Sequence, residues 1–407
     1  MSKNETAMPT GMALTHLDPL FRERPDEYLD MLRSREPVHQ DRELDRVVLT
    51  RAADVEAVMN NRNLASDPRK SRPGSLSRMR MGADETFRPL ILHMDDPDHK
   101  RLRDLVVKAF NQVAVDAMRP RITEVACGLL DDIGDPSCFD IMDAYARPLP
   151  TMAIALMLGV DTTRCHDFKQ WSDDKMQMFN PRRTPEQEAI LASADAALVG
   201  YFTEVIQQRR RERRADLISS LIDAQEDGQL LDETEIIGVC NALLIAGNVT
   251  TTDLIGNGIW LLLKNPDQQA KLKSDPALVN SCVEEILRYE SPVDITGRIA
   301  PREMAVGGCP VHQSQSMFLS LRGANRDPAT FPEPHKFDIA RKDAPHVAFG
   351  GGLHLCIGSP LARLEAQVSL QMFFDRYPNT RLADPDAKPE WRTLPFFRGL
   401  KEINVVV

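Results

Sequence analysis

The chain has 407 residues, a formal net charge of −10, and 42% apolar against 27% charged residues, enough to bury a large core. The acidic balance excludes a nucleic-acid footprint, which needs a basic face, and leaves only local basic patches. Seven cysteines, odd in number and without a Cys-x-x-Cys pair, exclude a disulfide framework and a structural zinc site and fit a reducing cytoplasm.

The first twenty residues, with Lys3, Glu5, Thr6 and Pro9, lack the apolar core of a signal peptide, and no run of eighteen apolar residues occurs, so no membrane anchor is expected. The spacing of Tyr28, Leu29, Met31 and Leu32 predicts a short amphipathic helix. Residues 46–50 read as a strand and 52–60 as a helix. Ser66-Asp67-Pro68 breaks the pattern, and the stretch to residue 89, rich in Arg, Ser, Gly and Met, reads as a loop. Asp95-Asp96-Pro97 opens a helix that carries His99 and Arg103, four apart on one face, towards Phe110. Helices are predicted over 119–133 and 145–158. After Asn180-Pro181 and Thr184-Pro185 another helix runs to Arg209-Arg210-Arg211-Glu212-Arg213-Arg214, read as a solvated helix end.

The most informative helix begins with a capping box at Asp232 and Glu235 and ends before Asn265-Pro266. At 1.5 Å per residue it spans roughly 48 Å. It is apolar on nearly every side from Ile236 to Leu263 and so belongs in a core. Asn241, Asn248, Thr250, Thr251, Thr252, Asp253 and Asn257 make it too polar for a lipid span. The next helix places Glu285 and Arg288 three apart. Beyond Ser291-Pro292 short β-like runs appear, such as 317–321, and 403–407 reads as a terminal strand. The fold class is mainly α with a smaller β part (α+β), the β part coming from 37–50, 293–321 and 390–407.

One further stretch reads Phe349-Gly350-Gly351-Gly352-Leu353-His354-Leu355-Cys356-Ile357-Gly358. Its glycines permit positive φ and close approach to a flat ligand, while Ser359 reads as an N-cap and Pro360 as the first helical residue. Cys356 then lies just ahead of a helix N-terminus, where free N–H groups and the dipole favour a thiolate, and a thiolate in a dry loop suits a metal. With Leu361-Ala362-Arg363-Leu364-Glu365 following, the segment closely resembles the haem-ligand signature of the cytochrome P450 family, in which this cysteine is the axial iron ligand.

The resemblance implies a single cytochrome P450 domain over 1–407, with a long central helix over haem b and the cysteine loop on the opposite face. Phe349 matches the residue that shields the sulfur, and the loop around Gly350 and Gly358 carries N–H groups that tune the iron. His99, Arg103, Arg298 and His354 match positions that hold the haem propionates, which need cationic or hydrogen-bonding partners inside a protein. Glu285 and Arg288 resemble the family's Glu-x-x-Arg element, which pairs with a basic residue downstream. Where the family often has Pro-x-Arg-Phe, this chain reads Pro334-His335-Lys336-Phe337, so His335, Lys336 or the later Arg341 completes the network. Ala246 and Gly247 match the small pair that opens a groove beside the iron, and Thr250 the threonine that relays protons. Val249 stands where the family has an acid and cannot carry a proton; Asn248, Asp253 or ordered water remain to replace it.

By the same resemblance Met79, Met81, Met176, Met178 and Phe179 line the distal pocket. Leu243, Val293, Ile295, Phe396 and Phe397 join them, and the apolar lining implies a hydrophobic small-molecule substrate. The implied activity is insertion of one oxygen atom of O2 into a C–H bond. No Gly-x-Gly-x-x-Gly unit is present, so electrons are expected from a separate ferredoxin and ferredoxin reductase, docking on Lys100, Arg101, Lys108 and Arg363. The expected protein is a cytoplasmic monomer that binds neither nucleic acid nor membrane. Val249 keeps open a non-hydroxylating or peroxide-driven haem-thiolate enzyme, and a haem-based sensor or carrier is a third reading.

Overall fold

The computed structural model describes residues 8–79, 90–226, 231–342 and 345–407. The long helix spans Glu233–Lys264, 32 residues, and starts on the capping box read from the sequence. Glu235 N–H donates to Asp232 Oδ1 at 2.7 Å, and Asp232 N–H donates to Glu235 Oε2 at 3.1 Å. Asn265 ends it ahead of Pro266, which opens the next helix. By length and composition this helix and Pro185–Arg211 could each cross a membrane. The long helix instead packs against Pro148–Leu158, Cys165–Lys175, Pro185–Arg211 and Ser359–Arg376, and Ile236, Leu244, Ile255, Ile259 and Leu262 are wholly enclosed.

The strands are β1 (Val38–Asp41), β2 (Arg46–Leu49), β3 (Cys138–Asp140), β4 (Ile295–Ile299), β5 (Met304–Val306), β6 (Cys309–Val311), β7 (Ser316–Ser320), β8 (Arg381–Leu382) and β9 (Asn404–Val406). The main sheet has the order β1-β2-β7-β4; a smaller one is β3-β9-β8, and β5 pairs with β6. β2 runs parallel to β7, with Val47 opposite Met317 and Val48 opposite Phe318, and Arg298 of β4 lies opposite Met317 from the other side. Side chains alternate across the strand, so Val48 and Phe318 enter the helical core. Val47, Leu49, Met317 and Leu319 enter a second core with Val55 and Val58 of the helix Ala52–Met59. Burial on both faces is why Val47, Val48 and Leu49 form a continuous apolar run.

Three local readings change. The stretch after Ser66 contains two short helical turns, Pro68–Lys70 and Leu76–Met79, and Met81 lies outside the described residues. Arg209 is not a solvated helix end: it is buried and pairs with Asp216 at 2.6 Å, because it sits on the inward face of its helix. The helix carrying His99 begins at Asp98 and tightens at Val107 into a 3-10 turn ending at Phe110.

Candidate active site

The cysteine loop is shaped by its glycines. Gly350 and Gly352 have φ of +68° and +63°, and a Cβ on Gly352 would collide with the Met59 carbonyl oxygen. Cys356 N–H donates to Phe349 O at 2.9 Å, which closes the loop. The helix that follows is Ser359–Arg376, with Gly358 at the N-cap. Ser359 is therefore its first residue, not its cap, and its side chain makes no capping bond. Ser359 N–H donates to Cys356 O at 3.4 Å, and the backbone N–H groups at this helix start, with Arg103 and Arg363, add positive potential at the Cys356 sulfur. Burial outweighs them all and pushes the thiol up, so the helix terminus by itself does not make a thiolate. A bound metal ion reverses that balance, because a coordinating thiol is deprotonated outright.

To one side of the loop two histidines and two arginines converge, His99 and Arg103 from one helix, Arg298 from β4 and His354 from the loop itself. The His99 and His354 rings are 4.2 Å apart. Arg103 donates to Leu355 O at 2.6 Å, and Arg298, on β4, donates to Gly297 O at 2.7 Å. His354 Nε2 lies 2.9 Å from Ser66 Oγ. Burial, together with Arg298, His99, Arg103 and His93, pushes His354 down to about 3, and burial brings Arg298 down to about 10 against the pull of Asp95. Burial and the neighbouring cations disfavour the charged forms of these groups, an anionic partner relieves that, and the donor set so fits the two carboxylates of a haem. His93 is a member that the sequence reading missed; it precedes the Asp95-Asp96-Pro97 turn and has no periodic relation to His99.

The Glu285–Arg288 pair is fully enclosed, with Arg288 donating to both carboxylate oxygens at 2.7 and 2.8 Å. Arg341 completes it, its Nε lying 3.1 Å from Glu285 Oε2, and Asp338 N–H donates to Oε1 at 2.9 Å. The other two candidates turn elsewhere, His335 to Asp30 and Lys336 towards Glu333. Arg288 also donates to the carbonyls of Asn325, Pro334 and Lys336, which fixes the chain that leads into the cysteine loop.

On the long helix, Leu243, Ala246, Gly247 and Thr250 stay open while Asn248, Val249 and residues 251–259 are buried. Thr250 Oγ1 donates to Ala246 O at 2.7 Å. A Cβ on Gly247 would lie 3.2 Å from Ile154, so this glycine lets the helix Pro148–Leu158 approach, and the opening beside Thr250 is made by Ala246. Asn248 cannot serve the same groove: it points about 200° round the helix from Thr250. Its amide is wholly buried and finds no hydrogen-bond partner among the described residues. Val249 is sealed in the helical core. Asp253, one turn later on the face of Val249, is also wholly buried. Arg392 donates to its Oδ2, and its Oδ1 has no partner among the described residues. Arg392 also lies 3.6 Å from Asp173, which Lys169 holds at 2.5 Å. Burial pushes Asp253 up to about 6 against the pull of Arg392 and Lys169.

The expected pocket wall is only partly assembled. Phe179 and Phe397 meet at 4.9 Å between ring centroids, and Val293 pairs with Phe397 through an isolated bridge. Leu243, Val293 and Ile295 are part-buried beside the core. Phe396 turns away to meet Phe318 edge-on, and Met176 is a core residue, 2% exposed. Met79 ends its short helix with 40% of its surface exposed.

A family model described as Cytochrome P450 matches residues 39–394. Cytochrome P450 107B1 of Saccharopolyspora erythraea is 37% identical over 397 residues, covering 95% of this chain and 96% of its own. The 6-deoxyerythronolide B hydroxylase of the same organism is 36% identical over 368 residues, covering 89% and 90%. The solved structure of myxobacterial cytochrome P450 CYP267B1 in complex with myristic acid superposes with a TM-score of 0.89 at 32% identity, covering 96% of this chain and 98% of that one. With these matches and a site that fits the cofactor, the chain belongs to the cytochrome P450 family, with its fold and its haem b.

Proposed function

We propose that this P450 monooxygenase inserts one oxygen atom of O2 into a C–H bond of an extended hydrophobic small molecule, drawing electrons from a separate ferredoxin and its reductase in the cytoplasm. The observation that carries this reading is the open face of the long helix at Ala246 and Thr250, bordered by part-buried apolar residues. Cys356 would hold the haem and His99, Arg103, Arg298 and His354 would take its propionates, and the group would supply the redox chemistry that activates O2. Ala246 leaves room beside it, Thr250 presents a hydroxyl, and the Phe179–Phe397 contact keeps water from the apolar side. Asp253 serves as the proton source that Val249 cannot be. Its partner Arg392, which stays protonated and so holds Asp253 without itself carrying the proton, also reaches the 40%-exposed Asp173.

A hydroxylase of a deoxyerythronolide and a structure holding myristic acid among the relatives support an extended lipophilic substrate. Lys100, Arg101 and Arg363 are already paired with Asp104, Glu235 and Glu284, so an acidic ferredoxin docking there exchanges these partners. A second reading, peroxide-driven turnover, draws on the enclosed Val249. Two measurements decide. The carbon monoxide difference spectrum of the reduced protein is expected to show the red-shifted Soret band of thiolate ligation, and its absence removes the haem-thiolate assignment. Turnover supported by ferredoxin and reductase is expected to exceed that supported by hydrogen peroxide; the reverse order selects the second reading.

A further inference from the structure

Glu284 is next to Glu285 in the helix Val279–Tyr289 and so points about 100° away from the Glu285 network. It accepts from Arg363 at 2.7 Å to Oε1 and 2.9 Å to Oε2, a bidentate pair between that helix and the first turns of the cysteine helix. The Arg363 guanidinium carbon lies 4.5 Å over the ring of Phe349, whose carbonyl accepts from Cys356 N–H at 2.9 Å. His346 Nε2 is 2.9 Å from Glu284 Oε2, while Ala348 N–H donates to His346 Nδ1 at 3.2 Å. The Nδ1 lone pair is thus used, the proton sits on Nε2, and a neutral imidazole donates to Glu284. His346 and Arg363 hold the Glu284 carboxyl down at about 2, so it is ionised at every working pH. The set carries one negative and one positive charge, and the positive one lies over the ring of Phe349, the residue whose carbonyl holds Cys356 N–H, and acts on the Cys356 sulfur.

We propose that Glu284 is a positioning residue that acts through Arg363 and Phe349 to set the potential at the Cys356 sulfur, and with it the reduction potential of the haem. Removing the carboxylate charge leaves the guanidinium uncompensated, which favours the reduced state. Removing the guanidinium leaves a carboxylate in its place, which disfavours it. Both charges are about one-third exposed, so the effect shrinks as salt rises. The inference rests on the haem-thiolate reading.

The test is the midpoint potential of the holoenzyme at low and high salt, with the carbon monoxide spectrum recorded on each sample. Glu284→Gln is expected to shift the potential upward, Arg363→Gln downward, and the double variant back towards the parent. Opposite signs are the signature, because a purely structural role would move both single variants the same way. If Glu284→Gln does not retain haem, Glu284→Asp keeps the charge at a longer reach and is expected to give a smaller upward shift. Shifts of equal sign, or unshifted potentials in variants that keep the thiolate band, overturn the inference and leave the haem-thiolate reading standing. Absence of that band in the parent protein overturns the reading itself.

Discussion

Arg392 donates to Asp253 from 139 positions further along the chain, joining the middle of the long helix to the segment before Phe397, which meets Phe179. The pair leaves one carboxylate oxygen unengaged among the described residues, three positions after Thr250, in a helix that has valine where the family has its acid.

The first prediction concerns Asp253→Asn. With its carboxyl raised to about 6, Asp253 carries its proton below that pH and loses it above. Product formed per reduced cofactor consumed is expected to fall in the parent enzyme as pH rises through about 6, and in the variant to be lower and flat across this range. Stability has its own sign. The folded carboxyl binds a proton more tightly than the unfolded one, so between about pH 4 and pH 6 the folded state holds more protons and loses stability as pH rises. Relative to the variant, the parent should therefore lose on the order of 3 kcal/mol across that window, read from urea unfolding at its two ends.

Val249→Asp should not repair the site by itself. The residue is wholly buried, one turn before Asp253 on the same face, so the new carboxylate would share Arg392 and Lys169 with one already there. The single variant is expected to lose about 3 kcal/mol or more, seen as a lowered melting temperature, without a gain in coupling. Combining it with Asp253→Asn returns the face to one carboxylate and should recover stability and coupling together. A single variant that keeps its melting temperature and couples better would place the proton route at position 249.

What was legible in the sequence was local. The loop from Phe349 to Gly358 could be read because its glycines, cysteine and following helix are contiguous, and β2 because Val47, Val48 and Leu49 form a continuous apolar run. Thr250 and Asn248 differ only in azimuth, and nothing in one helix says which side faces the haem; the exposure of Ala246 supplies that. Ser359 was misread as a cap because its residue type fits one, whereas Gly358 takes that position and Ser359 N–H donates to Cys356 O. The partners of Asp253 and Glu285 depend on contacts 139 and 56 residues apart, which no local pattern encodes.

Substitutions in the Glu285 network should rank in a definite order. Arg288→Ala strands a wholly enclosed carboxylate and removes three backbone contacts, so a loss of about 3–5 kcal/mol and failure to incorporate haem are expected. Arg341→Ala removes the less enclosed partner, 13% exposed, and should give a smaller loss with partial haem content. His335→Ala and Lys336→Ala leave Glu285 untouched, because their side chains pair with Asp30 and Glu333. Haem content per protein, from absorbance, and the melting temperature check the order. An Arg341→Ala protein with full haem content and unchanged melting temperature would remove it from the network.

The last prediction is a pH dependence of opposite sign at Glu290. This buried carboxylate accepts from Arg322 at 2.6 Å and from Arg398 at 2.6 Å, and Arg322 also holds Asp26 at 2.7 Å. Arg322 and Arg398 hold its carboxyl down at about 2, although burial opposes them. The folded state thus binds the proton less tightly than the unfolded chain. Its contribution is complete above the ordinary glutamate value and is lost as pH falls from there towards about 2. Glu290→Gln should therefore be less stable than the parent at neutral pH, with the difference narrowing on acidification. The cluster also bears on the pocket: Arg398 N–H donates to Pro292 O at 2.9 Å and Asp294 N–H to Phe396 O at 3.0 Å, so the segments carrying Val293 and Phe397 are laced together beside it. Weaker binding of a hydrophobic ligand, measured as a higher concentration for half-maximal spin-state shift, should accompany the loss of stability at neutral pH. A variant as stable as the parent at neutral pH, or one whose deficit grows on acidification, would show that Glu290 is not held ionised by its two arginines.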